Sequence, residues 1–447
     1  MPASPSATIV PVSDPLRRSL GAWSTMALVI GSTIGSGIFR VPSVAAAETQ
    51  SVGAIALLWI LGALVTLFGV LSVAEVAVMF PRPGGLYAYL REGFGPVPAF
   101  LFGWTRLLVI QPAVIGAIAM IFAAYAAAFV PLSDAGVRVV AAACIVVLSA
   151  ASYRSLEWGA TLQNISTAAK AIALVGLSVV AVLVGDPARG AFAGTISFAP
   201  ASWSGFGAAF IAIMWTYDGW ANLTYVAGET RDPGRTLPRA LVGGVLVVSV
   251  VYLAVNSAFL WILAVPEMGA SQLVAADAAT RVVGTAGRSL VAALVMLSVL
   301  GALNGTVMTT PRVFYAMAAD GLFFRRIAAV HPRYNTPHAA IVLSAALGVA
   351  YVSIRTFEQL AEAFILGIWP FYALAVWSVI RLRRTRPEVP RSYRTPGYPF
   401  VPLLFLLASV GLLGNALVRQ PVATLSGFAV ILAGIPVFYL WKARARP

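Results

Sequence analysis

The stretch GSTIGSGIF, residues 31–39, interrupts an apolar segment near its middle. Glycine and serine carry little side-chain bulk, so the backbone can leave the helix here and another group can approach it closely. A second apolar segment is interrupted in a similar way by WTYDGW, residues 215–220. Unpaired backbone groups at membrane depth are tolerated only where they lie within protein or line a cavity. The two interruptions therefore predict two broken membrane helices that line one polar cavity.

The composition of the chain places it in a lipid bilayer. Of its 447 residues, 60% are hydrophobic and only 10% are charged, whereas soluble domains carry about 25% charged residues. The formal net charge of +14 could indicate binding to nucleic acid. However, the basic residues lie in short loops beside apolar segments, which is typical of membrane proteins. We therefore expect a polytopic membrane protein with no nucleic acid partner.

Residues that bind metals or catalyse reactions are scarce. Cys144 is the single cysteine, and His331 and His338 are the two histidines. One cysteine cannot form an internal disulfide framework, and both histidines fall in a polar loop. We identify no paired catalytic carboxylates and no cysteine–histidine pair. The sequence thus predicts no metal, no cofactor and no enzyme activity.

Windows of about 20 apolar residues predict an all-α protein with twelve transmembrane helices. Most loop arginines fall on the side of the N-terminus, which places both termini in the cytoplasm by the positive-inside rule. The predicted spans are 22–46, 52–80, 97–130, 137–153, 159–185, 203–229, 238–264, 287–319, 338–354, 358–381, 400–418 and 421–441.

The positions of the breaks predict internal symmetry. They fall in spans one and six, five spans apart, and a repeat that crosses the bilayer an odd number of times must insert its second copy upside down. This pattern predicts inverted repeats over residues 21–185 and 203–381. The remaining predicted parts are a core over 21–397 that contains both repeats, two appended helices over 398–441, and cytoplasmic tails over 1–20 and 442–447.

The first break is a candidate anion site. The amides from about Ser36 to Phe39 would be free to donate where the outer half of span one begins, and the candidate carboxylate-binding residues are Gly35, Ser36, Gly37 and Ile38. A helix N-terminus carries partial positive charge and points N–H groups at a ligand, which suits a substrate carboxylate. The alternative is close helix packing through small residues.

The second break is a candidate cation site. The carbonyls of Met214, Trp215 and Thr216 could accept hydrogen bonds from a substrate ammonium. The indole of Trp215 could in addition close over the cavity as a gate. Ordinary packing is the alternative role of this side chain.

Two further side chains could determine selectivity or gating. Asp218 is a carboxylate at membrane depth, which is costly unless it is paired or wet and is therefore a functional candidate. It could bind a cationic side chain or the substrate ammonium, or it could cap a half-helix. Tyr252, in span seven, could present its hydroxyl at the cavity edge or pack as an aromatic ring.

Lys170 lies too deep in span five to reach the interface comfortably. A fixed cation there could connect the unwound part of span one to span eight, with Ser298 as a partner, and so replace a bound sodium ion. Lys170 could instead exchange a proton during transport, or be an interfacial lysine. Glu75 and Arg106 are interpreted as structural ion-pair partners.

A carboxylate site beside an ammonium site predicts a carrier of amino acids. We consider three alternatives, an exchanger, a proton-coupled symporter with Lys170 as the titrating group, and a sensor that binds amino acids without moving them. A channel would not need two broken helices and a deep lysine.

The motifs of this chain resemble those of a known family. GSGIF at residues 35–39 resembles the span-one signature of the amino acid–polyamine–organocation superfamily. WTYDGWANL at 215–223 and GALNG at 301–305 are similar to the L-type amino acid transporter branch. This resemblance implies a LeuT-like fold and sodium-independent, alternating-access exchange of amino acids.

The resemblance also implies roles for three candidate residues. By position, Lys170 resembles the lysine that replaces the sodium site in this branch. Tyr252 resembles a tyrosine proposed to give different substrate affinities on the two sides of the membrane. Asp218 resembles an acidic residue of members that accept dibasic amino acids and cystine. Neutral L-amino acids, small ones first, are the expected substrates, with dibasic ones as a further option.

One departure from the branch concerns partners. Animal members carry a cysteine in the loop between spans three and four, disulfide-bonded to a heavy subunit. The corresponding loop here, residues 131–136, has none, and Cys144 falls inside span four. We therefore expect no disulfide-linked heavy subunit. The short loops are typical of a bacterial member, so we expect an integral protein of the inner membrane.

Overall fold

The structure is a computed structural model. It describes residues 18, 20–154, 170, 174–186, 188, 190–193, 196–324, 331, 334 and 338–444. Most of the predicted tail 1–20, much of the first part of the predicted span 159–185 and the last residues of the tail 442–447 lie outside the described residues.

The described residues are folded almost entirely into α-helices, numbered here in chain order. They are α1 Ala22–Thr33, α2 Val41–Thr49, α3 Val52–Met79, α4 Leu86–Phe94, α5 Pro96–Thr105, α6 Gln111–Ala126, α7 Asp134–Arg154, α8 Leu174–Val184, α9 Trp203–Thr216, α10 Asn222–Tyr225, α11 Pro233–Ile262, α12 Val265–Ala270, α13 Val274–Val283, α14 Thr285–Thr309, α15 Pro311–Ala319, α16 His338–Ile354, α17 Phe357–Thr385, α18 Phe400–Arg419 and α19 Pro421–Arg444.

Nine helical segments of the described chain are long and apolar enough to cross a membrane. Three shorter apolar helices, α8, α9 and α16, occupy the remaining predicted span positions. The prediction of an all-α polytopic membrane protein is thus confirmed. The two inverted repeats and their limits stay a prediction.

The first break follows α1. Ile34 has φ −69° and ψ 79°, and the Gly35 amide donates to the Thr33 carbonyl at 2.7 Å. These values describe a tight three-residue turn. A single 3₁₀ turn, Gly37–Phe39, then leads into α2. Span one is therefore two half-helices joined by irregular backbone, as its glycines predict.

The second break separates α9 from the short helix α10. Gly219 adopts φ +113°, a conformation that L side chains rarely take. A Cβ on this glycine would lie 2.4 Å from the carbonyl oxygen of Ser32, and one on Gly37 would lie 2.9 Å from the Cα of Thr216. The two breaks are therefore packed directly against each other, and a glycine in each break permits the contact.

The half-helices α1 and α10 are joined by backbone pairing at the ends that lie away from the breaks. The Leu20 amide donates to the Glu229 carbonyl at 3.0 Å, and the Arg231 amide donates to the Leu20 carbonyl at 2.9 Å. These two bonds form a parallel bridge between Leu20 and Thr230. We call this pairing the Leu20–Thr230 bridge.

The predicted pairing of Glu75 with Arg106 is wrong. The Glu75 carboxylate accepts two hydrogen bonds from Arg383, at 2.6 and 2.8 Å, and one from the Thr395 amide at 2.7 Å. Arg391 lies 3.4 Å away on the same carboxylate. The partners of Glu75 are thus more than 300 residues away in sequence. Arg106 lies in a different environment, described below.

Candidate functional site

A cavity of about 400 Å³ lies between the two breaks. Backbone and side chains from both breaks line it, together with side chains from the third, eighth and tenth predicted spans. From one end it extends along α1 to the exposed Ser24 and to Leu20. The residues of the two breaks that line it are Gly31, Ser32, Thr33, Gly35, Ser36, Gly37, Trp215, Thr216, Asp218 and Gly219.

The carbonyls freed by the first break have partners within the protein. In a regular helix the Gly31 carbonyl would accept from the Gly35 amide, but that amide turns to Thr33 instead. The ammonium of Lys170 donates to the Gly31 carbonyl at 2.9 Å. The hydroxyl of Tyr252 donates to the Thr33 carbonyl at 2.6 Å. The carbonyls of Gly31 and Thr33 are therefore already bound within the protein.

Three backbone amides of the first break, in contrast to these two carbonyls, have no hydrogen-bond partners among the described residues. The amides of Ser36, Gly37 and Ile38 donate to no other residue that the structure describes. The hydroxyls of Ser36 and Thr33 are buried and equally without a partner there. Buried polar groups normally find hydrogen bonds, so these free donors are available to an acceptor that enters the cavity. An anion such as a carboxylate has the matching chemistry.

The predicted cation site combines occupied and open carbonyls. The Trp215 carbonyl accepts from the Asp218 amide at 3.3 Å, and the Thr216 carbonyl accepts from the Tyr252 hydroxyl at 3.0 Å. The Met214 carbonyl accepts no bond that closes the helix end among the described residues. Since each carbonyl oxygen has two lone pairs, all three retain capacity for a donor. Thr216 and Trp215 line the cavity, whereas Met214 is buried behind them.

Tyr252 lies behind the cavity and does not line it. Its hydroxyl contacts the last helical residue of α1 and the last of α9, Thr33 and Thr216. Its ring is fixed edge-on by Trp59, at 5.7 Å between ring centroids, and by Tyr217 at 5.1 Å. Tyr252 therefore holds both helix ends together from the rear, which the sequence did not predict.

Asp218 faces the cavity from the second break. Its Oδ1 accepts a 2.5 Å hydrogen bond from the hydroxyl of Tyr372, which comes from α17. The ring of Tyr372 stacks on Trp220 at 5.1 Å between centroids. The carboxylate is thus held by a fixed partner while it remains at the cavity surface.

Aromatic rings and an ion pair close the cavity on the side of α2. Trp215 packs edge-on against Phe364 of α17, with 5.0 Å between ring centroids. Beyond it, Arg40 donates to Glu358 at 2.8 Å and to the Ser271 carbonyl at 3.0 Å. The ion pair joins the N-terminal end of α2 to the start of α17. The structure is therefore closed on this side.

Arg106 is a cavity residue that sequence reasoning assigned to another site. It begins a π-helical segment, Arg106–Ile110, between α5 and α6, and such segments are frequent at functional sites. Its guanidinium donates to the hydroxyl of Tyr225 at 3.1 Å and to that of Thr310 at 3.2 Å. An arginine in the middle of a span is itself a functional signal, and this signal could have identified it.

Lys170 and Ser298 are both buried, and neither lines the cavity. The structure joins Lys170 to span one through Gly31. The hydroxyl of Ser298 has no hydrogen-bond partner among the described residues. The predicted connection from Lys170 to span eight through Ser298 thus stays a prediction.

The fold and the cavity define a class of protein. Two discontinuous membrane helices pack together at a central cavity that one face closes, which is the arrangement of secondary transporters. Comparison with known families is consistent with this class. The sequence model of the amino acid permease family matches residues 20–440. The chain belongs to this family, within the amino acid–polyamine–organocation superfamily, so the resemblance seen in the sequence is confirmed.

Individual relatives cover nearly the whole chain. The serine/threonine exchanger SteT of Bacillus subtilis is 33% identical over 96% of this chain and 98% of its own length. The human b(0,+)-type amino acid transporter 1 is 31% identical over 96% of this chain and 89% of its own length. The human cystine/glutamate transporter is 29% identical over 96% and 87%. This protein is accordingly an integral membrane protein of an amino acid transporter family.

Proposed function

We propose that this protein is a sodium-independent exchanger of neutral L-amino acids that works by alternating access. The observation that carries the proposal is the set of free amides at the first break. Its freed carbonyls at Gly31 and Thr33 are bound by Lys170 and Tyr252, whereas the amides of Ser36 to Ile38 have no acceptor among the described residues. A substrate carboxylate supplies that acceptor, with the Ser36 hydroxyl as a further donor.

The substrate ammonium is assigned to the second break. Trp215 and Thr216 line the same cavity as Ser36 and Gly37, and the carbonyl of Met214 stands at the same helix end. Because the two breaks are in contact through Gly37 and Thr216, one small zwitterion can reach both. The side chain of the substrate then points toward Asp218 and the rest of the cavity.

Sodium independence is proposed from Lys170. Its ammonium occupies a fully buried position and donates to the Gly31 carbonyl. A backbone carbonyl beside an unwound segment is a ligand that sodium takes in broken-helix carriers. A cation that is part of the chain removes the need for that ion.

The two sides of the cavity support alternating access. With the N-terminus in the cytoplasm, as the loop arginines predict, the cavity extends inward along α1 toward Leu20 and Ser24. The outer side is closed by Trp215 with Phe364 and by Arg40 with Glu358. We assign the structure to an inward-facing state. We further propose that the protein acts in a bacterial inner membrane without a disulfide-linked heavy subunit.

The test is uptake of radiolabelled amino acids into proteoliposomes, without sodium and at equal pH on both sides. Empty vesicles are compared with vesicles preloaded with unlabelled serine, leucine or glutamine. Uptake that requires preloading supports the exchanger. Uptake into empty vesicles that matches preloaded ones overturns it.

A proton-coupled symporter is the second candidate, and one observation favours it. Lys170 has no carboxylate within ion-pair distance among the described residues, so it could lose and regain its proton without breaking an ion pair. Under this reading, an acid-outside gradient drives uptake into empty vesicles. The same vesicles, with a pH gradient imposed, separate the two candidates.

A further inference from the structure

Arg106 is a buried cation in the wall of the cavity. The residue is 6% exposed, and it forms no ion pair with any carboxylate that the structure describes. Two of its five N–H groups are used by the hydroxyls of Tyr225 and Thr310. A buried charge without an opposite charge is costly. Its position in the cavity wall indicates a functional role, which is to interact with a bound substrate.

The opposite charge in the same wall is Asp218. Both residues line the cavity, and no ion pair of 4.0 Å or less joins them. Each is instead held by a phenol, Arg106 by Tyr225 and Asp218 by Tyr372. Their charges therefore face the cavity from separate fixed positions and do not neutralise each other by contact.

The other charged side chains of the described residues do not change this picture. Glu229 lines the cavity toward its open end, beside the Leu20–Thr230 bridge. Lys170 lies behind α1 and donates to its backbone. Beside the breaks themselves, Arg106 and Asp218 are the charged pair that a bound substrate would meet.

A positive and a negative group held apart discriminate between kinds of side chain. A cationic side chain is attracted by Asp218 and repelled by Arg106, and an anionic side chain meets the reverse. In each case, one buried charge is also left without compensation. A neutral group that carries both an acceptor and a donor can satisfy both charges at once, through hydrogen bonds to charged partners.

We propose that Arg106 and Asp218 together select amino acids whose side chain is uncharged and carries both an acceptor and a donor, with the side-chain carboxamide as the matching group. The carboxamide oxygen accepts from Arg106, and its NH₂ donates to Asp218. This inference rests on the proposed function, because it assumes that the backbone breaks take the substrate's own carboxylate and ammonium. It predicts that the dibasic substrates suggested by Asp218 alone are disfavoured.

The test measures binding and exchange for four probes. Glutamine is the proposed match, glutamate is its anionic isostere, ornithine is a cationic probe, and leucine is an apolar one. Binding is read from the rise in thermal stability of the detergent-solubilised protein, and exchange from preloaded proteoliposomes. The wild-type protein is expected to bind glutamine at least about tenfold more tightly than glutamate or ornithine. Loss of one hydrogen bond to a charged group weakens binding by about this factor. Equal affinity for glutamine and ornithine would overturn the inference.

Variants assign the discrimination to each charge. Arg106→Gln should improve ornithine relative to glutamine by about tenfold, and Asp218→Asn should improve glutamate relative to glutamine by a similar factor. Arg106→Lys keeps the charge and should keep the rejection of ornithine. Arg288→Gln is the control, because Arg288 pairs with Asp277 away from the cavity. It should leave every ratio unchanged.

The outcomes separate the inference from the proposed function. Probe ratios that stay at wild-type values in both Arg106→Gln and Asp218→Asn overturn the inference, even if exchange itself is normal. Thermal stabilisation without preloading-dependent exchange overturns the exchanger and still tests the selectivity. If Arg106→Gln does not fold, the Asp218→Asn and Arg106→Lys arms decide.

Discussion

The ammonium of Lys170 donates a 2.9 Å hydrogen bond to the carbonyl of Gly31, the acceptor that the amide of Gly35 would use in an unbroken helix. A side chain from span five thus takes over a backbone bond that the break in span one removes. The same break leaves amides free on its other side, so the lysine stabilises the irregular backbone without filling the anion site.

Replacement of this ammonium tests the role of Lys170. Lys170→Met removes the charge and the donor but keeps an unbranched side chain. Loss of a hydrogen bond from a charged group costs about 1.5–3 kcal/mol, so we expect the exchange rate to fall at least about tenfold. Lys442→Met, at an exposed lysine near the C-terminus, should exchange normally. Near-normal kinetics in Lys170→Met would refute the connection to span one.

Two glycines of one motif should respond differently to alanine. A Cβ on Gly35 would meet only the Thr33 carbonyl oxygen, at 3.8 Å, whereas one on Gly37 would lie 2.6 Å from the Thr216 hydroxyl. Gly35→Ala should therefore fold normally and weaken amino acid binding, because the methyl group enters the cavity. Gly37→Ala should lower thermal stability, since backbone on both sides must shift.

Thermal melts with and without amino acid measure both effects. Gly411→Ala is the control, because a Cβ there meets nothing within 4 Å. Gly35→Leu fills more of the same space and should abolish binding. Unchanged affinity in Gly35→Leu would show that the carboxylate binds elsewhere.

The hydroxyl of Tyr252 should influence the two faces of the membrane unequally. Tyr252→Phe removes the donor shared by the Thr33 and Thr216 carbonyls. One net hydrogen bond contributes about 1 kcal/mol, which corresponds to about a fivefold change in apparent affinity at the face whose state depends on this contact. Tyr217→Phe is a matched control, since its hydroxyl bonds to the Trp59 carbonyl in the same aromatic cluster. Equal effects on both faces would leave Tyr252 a packing residue.

The ion pair of Arg40 with Glu358 should bias the closed outer side. Glu358→Gln removes the charge from a partly exposed pair, which is worth at most about 1 kcal/mol. We expect a cysteine placed at Ala302, in the cavity wall, to react about two- to fivefold faster with an impermeant thiol reagent applied from the side opposite the N-terminus. All variants of this experiment carry Cys144→Ser, so that the introduced cysteine is the single thiol.

Glu48→Gln is the control for that experiment, because Glu48 pairs with Arg419 away from the Arg40 contact. It should leave the labelling rate unchanged. Equal rates in Glu358→Gln and its parent would mean that the aromatic contacts alone close this side.

The broken helices could be predicted because their signal is local. Glycine and serine in an apolar run are readable without any knowledge of neighbours, and so is a lone lysine deep in a span. The partners of Glu75 and Arg106 could not be predicted in this way. Glu75 finds Arg383 across 308 positions of sequence, and which of several arginines reaches it is decided by how α3 and α17 pack.

The position of Tyr252 illustrates a second limit. The sequence placed this residue at the right depth in span seven, yet depth does not say whether a hydroxyl enters the cavity or passes behind it. The answer depends on the rotation of α11, which Trp59 and Tyr217 determine through contacts with the ring. Rotation of a helix that is apolar on most sides leaves little trace in its pattern.

The Leu20–Thr230 bridge has a consequence for the kinetics of a carrier. Because backbone bonds fasten α1 to the segment after α10, these two half-helices form a single moving unit. In a carrier with two independent gating helices on one face, states with one helix open would be populated, and solute or protons could leak through them. Here α1 and α10 open and close as one unit, so leakage past them depends on a single conformational change and its rate constant.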